Sequence, residues 1–117
     1  MSEPLYKLKA EFFKTLGHPA RVRILELLAQ SDRSVSELQP DVGLEFSHLS
    51  QQLGVLRRAG IVIATKRGNS VVYSMASSDT AELLAVARKV LAGLLNEQVG
   101  LLKDLKADDR AASRKAG

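Results

Sequence analysis

Phe46-Ser47-His48-Leu49-Ser50-Gln51-Gln52-Leu53-Gly54-Val55-Leu56-Arg57-Arg58-Ala59-Gly60 is the stretch that decides the fold. Leu49, Leu53 and Leu56 recur at helical spacing, with Val55 beside them. The surface between them holds Ser47, His48, Ser50, Gln51 and Gln52, then Arg57 and Arg58. One side of this helix is built to be buried, and the other is built of hydrogen-bonding groups. Serine, glutamine and arginine bond phosphates and base edges, the last two bidentately. Gly60 stops the helix, because glycine tolerates the left-handed conformation of a helix end. The segment reads as the recognition helix of a DNA-binding module. Ser47, Ser50, Gln51 and Gln52 are expected at base edges and nearby phosphates. Arg57 and Arg58 are expected to add electrostatic affinity, and they also suit the negative end of the helix dipole. For His48, on the polar face, DNA contact ranks above metal ligation.

Upstream lies a partner helix. Ser34-Val35-Ser36-Glu37 is a capping box that starts a short third helix, which Pro40 kinks or shortens. Asp41-Val42-Gly43-Leu44 is the turn between the two, which gives a helix-turn-helix. Further back, Leu5, Leu8, Phe12 and Leu16 mark one face of a first helix that Gly17 ends. Pro19 opens a second helix through Val22, Ile24, Leu25, Leu27 and Leu28, apolar enough to lie at the centre of the fold. Arg21 and Arg23 stand near its start, where surface ion pairing ranks above phosphate contact. For His18, capping or packing ranks above metal ligation.

Downstream the period changes. Ile61-Val62-Ile63 and Val71-Val72-Tyr73 read as two strands, joined by Lys66-Arg67-Gly68-Asn69-Ser70. Gly68 and Asn69 accept the positive φ of a tight hairpin. The result is a wing with a basic tip, whose Lys66, Arg67 and Asn69 are placed to enter a minor groove or touch its backbone. Asp79-Thr80-Ala81-Glu82 is a second capping box and opens the longest helix. Leu83, Ala87, Val90, Leu91, Leu94, Leu95, Leu101, Leu102 and Leu105 make its apolar stripe. One domain of this size hardly needs so long a stripe for its own core, so the first and last helices are expected to pack a homodimer. From Ala107 the composition turns polar and small, and residues 107–117 are expected to be a disordered tail behind a domain of residues 1–106.

The chain has 117 residues, which suits one domain, and 17 Lys plus Arg against 13 Asp plus Glu give a formal charge of +4. That surplus fits a polyanionic partner without proving one. The absence of cysteine removes disulfides and thiolate metal sites. Residues 1–9 lack the apolar core of a signal peptide, and no apolar run spans a bilayer, so a cytoplasmic protein with no membrane partner is expected. No nucleophile–base pair, carboxylate pair or phosphate-cradling loop points to an enzyme.

Three motifs carry a family resemblance. Leu16-Gly17-His18-Pro19-Ala20-Arg21-Val22-Arg23-Ile24-Leu25 looks like a His-Pro-x-Arg opening of a second helix. Ser34-Val35-Ser36-Glu37-Leu38 looks like the start of a third. Ser47-x-x-Ser50-x-x-Leu53-x-Val55-Leu56-Arg57-x-Ala59-Gly60-Ile61-Val62 runs without a gap through a recognition helix and first wing strand, and Gly68 and Tyr73 fall in the wing. The chain resembles the ArsR/SmtB family over roughly residues 5–100, in its cysteine-free actinobacterial type. The resemblance implies an α+β, mostly α, winged helix-turn-helix of about five helices and a two-stranded wing. It also implies a homodimeric, sequence-specific regulator of transcription, a repressor on a palindromic operator of double-stranded DNA.

There are departures. Gln52 stands where that family usually has a histidine, Glu45 where a serine often caps the recognition helix, and Gly54 inside a helix costs about 1 kcal/mol against alanine. The family's sensors place cysteines in the third helix or carboxylate–histidine sets in the last. Here the third helix has no thiolate, and Ala81, Ala92 and Leu95 occupy ligand positions of the last, so no cofactor is expected. Two alternatives stay open: a nickel- or zinc-responsive regulator with an unconventional histidine–carboxylate site, and a winged helix that docks a protein partner.

Overall fold

The computed structural model describes the backbone of residues 3–116 and the side chains of residues 3–100 and 102–106. The order of elements is α1 (Leu5–Leu16), α2 (Pro19–Gln30), β1 (Arg33–Ser34), α3 (Val35–Val42), α4 (Phe46–Arg58), β2 (Val62–Arg67), β3 (Ser70–Met75) and α5 (Ser78–Ala116). The fold is mostly helical, with a winged helix-turn-helix at its centre. It separates into two compact units, residues 1–82 and 83–117, described in turn.

In the first unit the core is aliphatic. Ile24, Leu25, Leu27 and Leu28 of α2 are buried, as are Leu38 of α3 and Leu49, Leu53 and Leu56 of α4. Leu16, Ile61 and Val62 close it. Each such burial contributes about 1.5–3 kcal/mol, so α4 is held chiefly by its three leucines. The Ser34 hydroxyl accepts from the Glu37 N–H (3.3 Å) and the Glu37 carboxylate accepts from the Ser34 N–H (3.0 Å), so the expected capping box is formed at α3. α3 continues two residues beyond Pro40 and ends at Gly43, which has φ 78° and donates to Gln39 (2.9 Å). Asp41 and Val42, expected in the turn, therefore belong to α3, and the connection to α4 is Gly43–Glu45. Pro40 has no N–H to give the Ser36 carbonyl, so α3 runs on without that one internal bond.

The sheet departs from expectation. It has three antiparallel strands in the order β1-β3-β2, where a two-stranded hairpin is expected. Arg33 pairs with Tyr73 and Ser34 with Val72, so the residues just before α3 add an edge to the wing. β2 pairs with β3 from Val62↔Met75 to Arg67↔Ser70, which leaves Gly68 and Asn69 as a two-residue turn. Only Gly68 has positive φ (61°), the pattern of a type II′ turn, so Asn69 need not adopt it.

In the second unit α5 carries the apolar stripe. Val86, Val90, Leu91, Leu94, Leu95, Val99, Leu102 and Leu105 are all exposed, and the side chain of Leu101 lies outside the described residues. The backbone of α5 is helical to Ala116, and the side chains of residues 107–116 lie outside the described residues. Alanine, arginine and lysine are strong helix formers, and helix propensity acts without an apolar face to bury. At its start Ser77, and not Asp79, supplies the cap, with its hydroxyl accepting from the Asp79 N–H (3.1 Å). No helix among the described residues is long and apolar enough to cross a membrane.

Candidate nucleic-acid interface

α4 turns about 100° per residue, so Ser47, Gln51, Gly54 and Arg58 line up opposite the buried Leu49, Leu53 and Leu56. Ser47, His48, Gln51, Arg57 and Arg58 are exposed, and Ser50 and Gln52 are half-buried on the two flanks. Beyond Arg58 the chain closes with a Schellman arrangement. The Ile61 N–H donates to Leu56 O and the Gly60 N–H to Arg57 O, each at 3.0 Å, with Gly60 at φ 76°. This end places Arg57 and Arg58 where the helix dipole favours cations.

Gly54 has a visible role. A Cβ there would lie 3.2 Å from Arg58 Nη1, so the arginine folds back over the glycine. The three atoms nearest that position all belong to the Arg58 guanidinium. Glu45 precedes the helix as N-cap, exposed and without a side-chain cap bond.

Gln52 stands apart from the other predicted residues. Its Oε1 accepts from Arg21 Nε at 2.8 Å, and Arg21 Nη1 donates to the Thr15 carbonyl at 3.1 Å. The ion pair expected of Arg21 is thus replaced by two neutral acceptors. Arg23 likewise points Nε at the Asp41 carbonyl, 3.5 Å away. His18 is the N-cap of α2, its Nδ1 accepting from the Ala20 N–H at 3.2 Å. No group of three His, Asp or Glu residues that could hold a metal occurs among the described residues.

At the wing tip Lys66, Arg67 and Asn69 are exposed. Arg67 Nη2 lies 4.0 Å from Asp32, and both side chains are well exposed, so the pair is weak. A groove of about 370 Å³ runs between the start of α3, the first turns of α4 and the wing. It brings together two predicted residues, Ser50 and Asn69, with Ser34, Val35, Ser36, Phe46, Ser70, Val71 and Tyr73. Sequence reasoning missed Phe46, which is 59% exposed at the first position of α4. Its signal was present: it falls at the edge of the leucine stripe, on the same flank as Ser50. The Glu37 carboxyl nearby is held below its ordinary pKa by the Ser34 N–H first, then the Ser34 hydroxyl, with Arg33 adding to both.

Residues 18–64 match the family described as "Bacterial regulatory protein, arsR family". Over 94% of this chain and 97% of the relative, it is 68% identical to the uncharacterized HTH-type transcriptional regulator Rv0081 of Mycobacterium tuberculosis. The crystal structure of Rv0081 superposes with a TM-score of 0.78 at 72% identity, covering 84% of this chain and 99% of that one. A homodimeric winged helix-turn-helix DNA-binding domain from Mycobacterium bovis superposes at 0.71, with 32% identity, covering 78% and 84%. The biofilm growth-associated repressor of Agrobacterium fabrum is 43% identical over 64% of each chain. On these matches in sequence and fold, the chain belongs to the arsR family of bacterial regulatory proteins and is a DNA-binding transcriptional regulator, not an enzyme.

Proposed function

We propose that this regulator is a homodimeric repressor that binds an imperfectly palindromic operator in the bacterial cytoplasm. The observation that carries the reading is the exposed line Ser47–Gln51–Arg58 on a helix whose opposite side is sunk in the core. Ser47, His48, Ser50 and Gln51 meet base edges and nearby phosphates in the major groove. Arg57, Arg58, Lys66 and Arg67 supply cationic affinity, and Asn69 follows the wing into the adjacent groove. The sugar-phosphate strand between major and minor grooves then crosses the concavity between α4 and the wing, against Ser50, Phe46 and Asn69.

A second copy is the occupant proposed for the exposed apolar faces. α1 exposes Leu5 (65%) and Tyr6 (70%), and α5 exposes leucines and valines along its length. Two reading helices related by a two-fold axis meet half-sites about one helical turn apart, or a multiple of it. The homodimeric Mycobacterium bovis domain and the Agrobacterium fabrum repressor support dimer and repressor by analogy. Resident metal has no place in the proposal, since the Nδ1 of His18 is already engaged as a cap.

The test is selection of bound duplexes from genomic DNA, with and without nickel, zinc and cobalt, followed by titration of the selected duplex. An inverted repeat, steep weakening with salt, and loss of binding in Arg57→Ala/Arg58→Ala are expected. A flat salt response, or equal binding to random duplex, sinks the reading. A metal that changes affinity would install an effector the proposal lacks.

A further inference from the structure

Arg21 and Gln52 lie 31 residues apart in sequence and meet at 2.8 Å. A guanidinium has no acceptor, so the amide oxygen of Gln52 must be the atom that faces it. The same guanidinium reaches the Thr15 carbonyl, one of the last four carbonyls of α1, which an α-helix leaves without an internal partner. Arg21 and Gln52 are both half-buried, so water competes poorly for these bonds. A planar fork with fixed donor directions sets the spacing of its two acceptors. One side chain on α2 therefore connects the end of α1 to the middle of α4.

We infer that Arg21 is a positioning residue for DNA recognition, acting through Gln52, and that Gln52 reads no base. The inference rests on the DNA reading of α4. Gln51, one residue along and fully outside, is the glutamine that reads. The two adjacent glutamines are chemically identical and differ only in which way the helix turns them.

The experiment measures fluorescence anisotropy of the full chain on the duplex selected by the wild type, beside thermal melting. Gln52→Glu keeps the acceptor for Arg21, and its carboxylate is neutralised there, so binding is expected within about threefold of wild type. Gln51→Glu puts a carboxylate against the duplex and is expected to weaken binding more than about tenfold. Gln52→Met and Arg21→Met each remove the bond and are expected to cost about tenfold or more, while the double variant costs no more than the worse single. The inference is overturned if Gln52→Glu fails as badly as Gln51→Glu, or if the two Met losses multiply. It is overturned also if the Met variants lose only melting temperature while the folded fraction binds normally. A wild type that binds no selected duplex, or a harmless Gln51→Glu, would remove the DNA reading of α4 itself and the inference with it.

Discussion

Glu37 shows what a single exposed side chain contributes and when. Its folded pKa is depressed by the Ser34 N–H and hydroxyl, so its stabilising effect is present above the ordinary carboxylate pKa. That effect is lost as pH falls through the lowered folded value. Glu37→Gln should therefore melt below wild type near pH 7, and the gap should narrow as acid protonates the carboxylate. Melting curves of both proteins from neutral pH into acid check the sign, and a gap that widens in acid contradicts it. At the other extreme of burial, Leu53 is completely enclosed. Leu53→Ala should cost about 2–5 kcal/mol by removing a core methyl cluster and leaving a cavity, as urea denaturation would read. Arg33 sits between these cases: Nη1 meets Asp41 at 3.3 Å and Nη2 donates to Gln30 at 3.0 Å, while its buried Nε finds no partner. Truncating it should cost more than the loss of one surface ion pair, because Asp41 and Gln30 each lose a donor.

Among elements, those with a local signature were legible and those made by distant pairing were not. The leucine spacing of α4, the Ser34–Glu37 box of α3 and the β-branched runs of the wing are each written within a dozen residues. β1 is two residues long, too short for any alternation, and exists only because Tyr73 and Val72 lie alongside. The expected role of Gln52 in base reading came from its type, and nothing near it in sequence announced Arg21. The cap of α5 was misplaced by two residues because Ser77 and Asp79 are both good capping residues and only the backbone chooses. Element ends also make the clearest glycine predictions. Gly60→Ala meets no atom but must hold φ 76°, so it should cost about 1–2 kcal/mol, measured as a shift in denaturation midpoint. Gly54→Ala should instead raise stability by up to about 1 kcal/mol, because the nearest atoms are the flexible end of Arg58, which can move aside. For the wing, Lys66→Ala/Arg67→Ala should lower the slope of log affinity against log salt by about 2, with little change in sequence preference.

At the scale of the whole molecule, residues 85–99 of α5 are exposed without a break, an expanse of leucine and valine that water does not favour. Leu91→Glu/Leu94→Glu should turn a dimer into monomers in sedimentation and weaken DNA binding by far more than either reading helix alone would suggest, since two half-sites then act separately. Unchanged sedimentation would send the pairing surface elsewhere.

β1 bears on how the wing is held. Ser34 both ladders against Val72 and caps α3, so the hairpin is riveted to the helix that carries the turn into α4. A free two-stranded flap would adjust to whatever duplex it met. This one is laced along its outer edge to the two residues that lead into α3. In the proposed complex, base sequences that narrow or widen the minor groove beside the wing should therefore bind differently even where no side chain touches a base.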